Sequence, residues 1–87
     1  MYFIYILQSQ IDQSYYIGYS QDPKKRLLAH NNGLTKYTKR KKPWVLKYIE
    51  SYSSKRDALK REKQLKNWKS SKAIAKLINR NNLGPVV

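Results

Sequence analysis

Two short runs rich in aromatic and β-branched residues, Tyr2-Phe3-Ile4-Tyr5-Ile6-Leu7 and Tyr15-Tyr16-Ile17-Gly18-Tyr19, are separated only by the polar stretch Gln8 to Ser14. Runs of this kind favour buried strands. A polar connection of that length reads as a hairpin loop, so the two strands lie antiparallel. The remaining chain must then supply whatever covers this hairpin. Gly18, inside the second run, marks a place where another backbone, a side chain or a ligand approaches closely.

Helix signals follow. Asp22-Pro23 places an N-cap before a proline at the first helical position. That helix is expected to run to about Asn32 and stop at Asn32-Gly33, with Leu27, Leu28 and Ala29 as its core contacts. A basic loop, Lys36 to Pro43, leads to a third strand, Trp44-Val45-Leu46-Lys47-Tyr48-Ile49, extending to Tyr52. Ser54 with Asp57 three residues on makes a near capping box for a helix ending near Trp68. Ser70 or Ser71 caps a last helix through about Asn79, with Ala73, Ile74, Leu77 and Ile78 on its buried side. The order β-β-α-β-α-α predicts an α+β fold, helices against a small, mostly antiparallel sheet. Residues 1–80 are expected to form one domain and 81–87 a loose tail.

A chain of 87 residues buries only about 60–65% of its unfolded surface. Its eight Tyr, two Trp and one Phe must therefore supply much of the core. With no Cys and one His, a disulfide framework and the usual structural zinc sites are excluded. Nineteen Lys and Arg against five acids give a net charge of +14, which points to nucleic acid first and an anionic membrane surface second. A membrane-spanning helix is not expected, since the longest apolar run is Tyr2 to Leu7. No targeting segment is read ahead of that run, so a cytoplasmic, nucleoid-associated location is expected.

Four features carry chemistry. Glu62 lies within Lys60-Arg61-Glu62-Lys63, yet at helical spacing its neighbours are Ala58 and Leu65, on the apolar side. A carboxylate held inward on so basic a surface is costly unless it has a task or a partner. Holding a hard cation beside a polyanion is such a task; the alternative is an ordinary pair with Lys66 or Lys55. Tyr5 and Tyr16 face one another if the hairpin pairs them directly. In a positive field one phenol would then have a depressed pKa and accept a proton from water. The alternative is that both are simply strand residues. Arg26 and His30, at i,i+4, share a helix face beside the Leu27 stripe, suited to clamping a phosphate and moving a proton, or else a solvated surface pair. Basic residues suited to phosphate binding are Lys24, Lys25, Lys36, Lys39, Arg40, Lys41, Lys42, Arg61 and Lys66, with Tyr37, Trp44 and Trp68 available to stack on bases or sugars.

Taken together, these residues resemble the GIY-YIG nuclease superfamily, in particular its small stand-alone branch similar to the N-terminal nuclease domain of the excinuclease. Phe3-Ile4-Tyr5 stands where that family has GIY, and Tyr16-Ile17-Gly18 reproduces YIG. Arg26-Leu27-Leu28-Ala29-His30-Asn31-Asn32-Gly33 resembles the branch's R-x-x-x-H-N-x-G helix. Thr38 to Pro43, then Ala58 through Arg61-Glu62-Lys63-Gln64-Leu65-Lys66-Asn67-Trp68, resembles its REKQLK-x-W segment. The resemblance covers residues 2 to about 80 and implies a three-stranded antiparallel sheet flanked by helices. It also implies an endonuclease hydrolysing DNA phosphodiesters with one divalent ion, Mg²⁺ or Mn²⁺. Tyr5 and Tyr16 would be the paired tyrosines, one of them the general base with His30 in support. Arg26 would stabilise the phosphate's charge, and Glu62 would hold the metal. Phe3 replaces the family's first Gly, and only Asn67 and Asn79 are candidates for a late polar residue. Branched, flapped or single-stranded DNA in repair or recombination is the expected substrate, with specificity drawn from DNA shape or a protein partner. The competing reading is a non-catalytic DNA- or RNA-binding module on the same fold.

Overall fold

A computed structural model describes residues 1–81. The hairpin forms as β1 (Tyr2–Ser9) and β2 (Tyr15–Ser20), followed by α1 (Pro23–Asn31), a 3-10 turn (Lys39–Lys41), β3 (Trp44–Tyr52), α2 (Lys55–Trp68) and α3 (Ser71–Asn81). The sheet is antiparallel with order β2-β1-β3, so the fold is α+β in the order β-β-α-β-α-α. The C-terminal tail expected over 81–87 lies, beyond Asn81, outside the described residues.

The helix starts are the local ones that the residues dictate. Asp22 accepts a hydrogen bond from the Lys25 N–H (3.1 Å) with Pro23 at the first helical position. Ser54 accepts from the Asp57 N–H (3.3 Å), and Ser70 from the Ala73 N–H (3.1 Å). Each satisfies a backbone donor that the first turn leaves without an intrahelical acceptor.

Strand alternation divides the core. Ile4 and Ile6 face α2 and α3, packing with Ala58, Leu65, Ile74 and Ile78. Tyr5 and Leu7 point to the opposite face and cluster with Trp44, Tyr16, Leu27 and Leu46. The sheet is thus covered on both sides, and its central strand is buried from Ile4 to Leu7 and at Ser9.

The hairpin register and the facing of α1 both differ from expectation. Tyr5 pairs with Gly18, and Tyr16 with Leu7, so the tyrosines are diagonal rather than directly opposed. Just beyond the paired strands the Ser9 N–H donates to the Ser14 carbonyl (2.9 Å), where direct pairing of the tyrosines would set Ser9 opposite Asp12, so the loop is two residues longer than that pairing requires. Ser9 Oγ then donates to the Lys41 carbonyl (2.6 Å), fixing the loop against the 3-10 turn. Leu28 is 63% exposed; α1 buries Pro23 and His30 instead, with Leu27 packed on the second cluster. His30 is therefore part of the inward face, not beside it.

Candidate active site

Gly18 explains how the site begins. It does not occupy the left-handed region, and a Cβ there would stand 2.9 Å from Cε2 of Tyr5 and closer still to Cζ and Oη. The Tyr5 ring thus lies flat across the edge strand at the one position without a side chain, carrying its hydroxyl toward the sheet's outer edge. There Tyr5 Oη meets Nε2 of His30 at 3.1 Å. Both residues are essentially excluded from water (1% and 0% exposed).

His30 is held from its other side. Its Nδ1 lies 2.7 Å from Thr38 Oγ1, and the Thr38 hydroxyl donates to the Thr35 carbonyl (3.4 Å). A hydroxyl whose proton goes to that carbonyl accepts from Nδ1–H, which leaves Nε2 as the acceptor for the Tyr5 proton. Thr38 is fixed in turn by Trp44, whose indole N–H donates to its carbonyl (3.0 Å). Asn31 ties the helix end to β3 by donating to the Trp44 carbonyl (3.0 Å). Thr38 and Asn31 were not singled out by the sequence as site residues. Thr38 sits in a basic loop, and its contact with His30 crosses eight positions with no periodic signal.

Tyr16 completes the aromatic wall. Its ring centroid is 6.4 Å from that of Tyr5 and 4.9 Å, edge-on, from that of His30. Arg26 acts on both members of the hydrogen-bonded pair. Burial raises the Tyr5 pKa above the ordinary phenol value, and a hydrogen bond from Arg26 opposes that rise without cancelling it. The depressed phenol expected from the positive field is therefore not found at Tyr5, because desolvation of the phenolate outweighs the nearby guanidinium. Burial, then the charge of Arg26, lowers the His30 pKa below the ordinary imidazole value. Both effects favour the neutral ring over the imidazolium.

Glu62 reaches the same neighbourhood from α2. Between Ala58 and Leu65, both buried, its side chain is 19% exposed and pairs with Lys66 Nζ at 3.2 Å. Its charge is near enough to raise the Tyr5 pKa further. The structure thus brings Tyr5, Tyr16, Arg26, His30 and Glu62 together, with Lys66 beside Glu62. Asn67 and Asn79 are exposed, and neither is among the contacts just described. Among the described residues no group of three or more His, Cys, Asp or Glu forms a preassembled metal cage. A lone carboxylate suits an ion of the Mg²⁺ kind, which keeps waters and takes further oxygens from a substrate phosphate.

The basic residues separate. Lys24, Lys25, Lys36, Lys39, Arg40 and Lys42 are exposed. Lys41 pairs with Asp12 (3.2 Å). Arg61 differs from these: its Nε and Nη2 donate to Glu50 at 2.9 and 3.1 Å, and it sits 5.7 Å from the Trp68 ring. Tyr52 also donates to Glu50 (2.6 Å), as does Tyr48. The Arg61 guanidinium therefore serves the α2–β3 packing instead of standing open to phosphate, as its place in a basic run suggested.

The sheet and its flanking helices thus gather two tyrosines, an arginine, a histidine and one glutamate in one neighbourhood, the residue set on which the resemblance to the GIY-YIG nucleases rests. The chain belongs to the GIY-YIG family: the model of the GIY-YIG catalytic domain matches residues 1–77. A UPF0213 protein of Staphylococcus saprophyticus is 43% identical over 79 residues, covering 90% of this chain and 94% of that protein. One of Bacillus pumilus is 39% identical over 72 residues, covering 82% and 72%. The solution NMR structure of a UPF0213 protein from Bacillus halodurans superposes with a TM-score of 0.57 at 31% identity, covering 91% of this chain and 84% of that one. Family membership supports a nuclease-like function with nucleic acid as substrate. No helix among the described residues is long and apolar enough to cross a membrane.

Proposed function

We propose that the protein is an endonuclease that hydrolyses DNA phosphodiester bonds with the help of a single Mg²⁺ or Mn²⁺ held by Glu62. The observation that carries this reading is the Tyr5–His30 hydrogen bond (3.1 Å), to which Arg26 and Glu62 both couple electrostatically or through hydrogen bonding. Binding nucleic acid needs none of this buried chemistry. A neutral imidazole with Nε2 facing a phenol offers a path for a proton. The attacking water gives a proton to Tyr5 Oη as Tyr5 passes its own to His30 Nε2, and the resulting hydroxide forms the new bond to phosphorus. The bond to the leaving ribose oxygen breaks with its electron pair. Arg26 offers donors to the charge that grows on the phosphate oxygens. The divalent ion, when bound, supplies Lewis-acid stabilisation of the phosphate and leaving oxygen.

Branched, flapped or single-stranded DNA is the expected substrate, with specificity coming from DNA shape or a protein partner. Processing of such DNA belongs to repair or recombination in the cytoplasm. The test is cleavage of single-stranded, duplex, flapped and branched DNA with Mg²⁺ or Mn²⁺, comparing wild type with Glu62→Gln. The variant is expected to bind and not cut. Equal cutting by both, or no metal-dependent cutting of any substrate, refutes the catalytic reading and leaves a binding module.

A further inference from the structure

The outer side of β2 is one of the two edges of the sheet, and it does not face empty solvent. A groove of about 610 Å³ runs between this edge and the corner where α2 meets α3, with Tyr16, Tyr37, Lys66, Lys69 and Ser70 in its walls. It is continuous with the candidate active site through Tyr16, and through Lys66, the partner of Glu62. Among the described residues no acid lines it. Its volume lies within the range of about 300–1,000 Å³ that buries a molecule of drug size, which is the size of a nucleotide and far below that of a duplex.

The three aromatic residues suited to stacking differ sharply in availability. Trp44 is 4% exposed and its indole N–H is held by Thr38. Trp68 has the Arg61 guanidinium over its ring. Tyr37 is 83% exposed, stands at the groove, and has its ring centroid 6.1 Å from that of Tyr16. An aromatic face beside lysines along a track is the arrangement by which proteins hold unpaired nucleic acid, since every base has a face to stack and every nucleotide a phosphate.

Resting on the nuclease reading, we propose that this groove is a subsite for an unpaired nucleotide next to the scissile phosphate, its base stacked on Tyr37 and its phosphate met by Lys66 and Lys69. A peptide adding a strand to the β2 edge is the other occupant such an edge admits. The charged residues of the lining are both cationic and the chain carries a net charge of +14, which favours the nucleotide.

The test uses the full chain carrying Glu62→Gln, without divalent ions, so that binding is read apart from cutting. Fluorescence anisotropy is measured with a single-stranded oligonucleotide and with its duplex. Tyr37→Ala should weaken single-strand binding by about 10-fold, as loss of one stacked base predicts, and leave duplex binding unchanged; Tyr37→Trp should restore it. Lys69→Asn, which suits the left-handed backbone at that position (φ 49°), should weaken single-strand binding and lower its salt slope by about one ion. Equal effects of Tyr37→Ala on both DNAs, or no effect on either, overturn the subsite. Should the Tyr37 effect stand while wild type shows no metal-dependent cutting, the subsite survives and the nuclease reading fails.

Discussion

Replacing Gly18 by Ala tests how the site is built, because the substitution adds one carbon at a position whose backbone any residue adopts. In the absence of a neighbour the change is expected to stabilise the protein by about 0.4–1 kcal/mol, by restricting the unfolded chain. The structure reverses that sign. The added Cβ would stand 2.9 Å from Tyr5 Cε2 and closer to Cζ and Oη, where carbon atoms ordinarily sit about 3.5–4.0 Å apart. The ring must move by about 1 Å, and it has little room, being 1% exposed and bonded to His30. Overpacking of this kind costs about 1–3 kcal/mol, so the net destabilisation is about 1–2 kcal/mol. For a domain of this size that lowers Tm by roughly 5–15 °C. A 1 Å displacement of a reacting group costs about 100-fold in rate, so the loss of activity should exceed what the stability change explains.

Thermal unfolding followed by circular dichroism, together with a double-mutant cycle through Tyr5→Leu, separates the clash from any general effect of the substitution. In the Tyr5→Leu background Gly18→Ala should cost little or nothing, giving a coupling energy of about 1 kcal/mol or more. Additive costs, or a Gly18→Ala protein as stable as wild type, would refute the account of Tyr5 lying across Gly18.

Arg61→Met should destabilise the protein by about 2 kcal/mol in urea titrations at pH 7, since it takes the cationic partner from a carboxylate that is only 18% exposed and leaves it two tyrosine hydroxyls. The pH dependence has a fixed sign. Burial raises the Glu50 pKa, but hydrogen bonds from Arg61, Tyr48 and Tyr52 outweigh it and hold the group below its ordinary 4.5. Glu50 therefore contributes stability that is complete above pH 4.5 and is lost as the pH falls through the lowered folded value; this acid-side loss should flatten in Arg61→Met, and an unchanged slope would count against the network. Lys39→Ala with Arg40→Ala, both exposed, should lower the salt slope of DNA binding by about one to two ions, and an unchanged slope would place the DNA on another face.

What was legible in the chain was local. The caps at Asp22 and Ser54 involve residues three apart, and the strand runs declare themselves by composition. The facing of Glu62 follows from the helical period through Ala58 and Leu65. Three other features depend on contacts between distant segments. The pairing of Tyr5 with Gly18 depends on Ser9 and Ser14 closing the hairpin, and on the Lys41 carbonyl receiving the Ser9 hydroxyl. The rotation of α1 that buries His30 and leaves Leu28 outside is stable only because Tyr5 and Thr38 satisfy both ring nitrogens. By composition a leucine is the better candidate for burial; the hydrogen bonds invert that preference. Arg61 resembles its basic neighbours until Glu50, eleven positions earlier, is seen to hold it.

The five acids bear most directly on function, because the structure accounts for four of them. Asp12 accepts from Ser14 (2.7 Å) and pairs with Lys41; Asp22 caps α1. Asp57 lies in the first turn of α2, where the helix dipole favours a negative charge. Glu50 binds two tyrosines and an arginine. Glu62 differs in kind. Its ion pair is an i,i+4 contact with Lys66, whose side chain is 51% exposed, and pairs of that sort are worth only about 0.3–0.5 kcal/mol. On the proposed reading, so weak a partner would yield its place to a divalent ion that arrives with a phosphate. Glu62 is therefore set apart less by being a rare acid than by combining a half-exposed charge partner with a place beside the buried Tyr5–His30 pair.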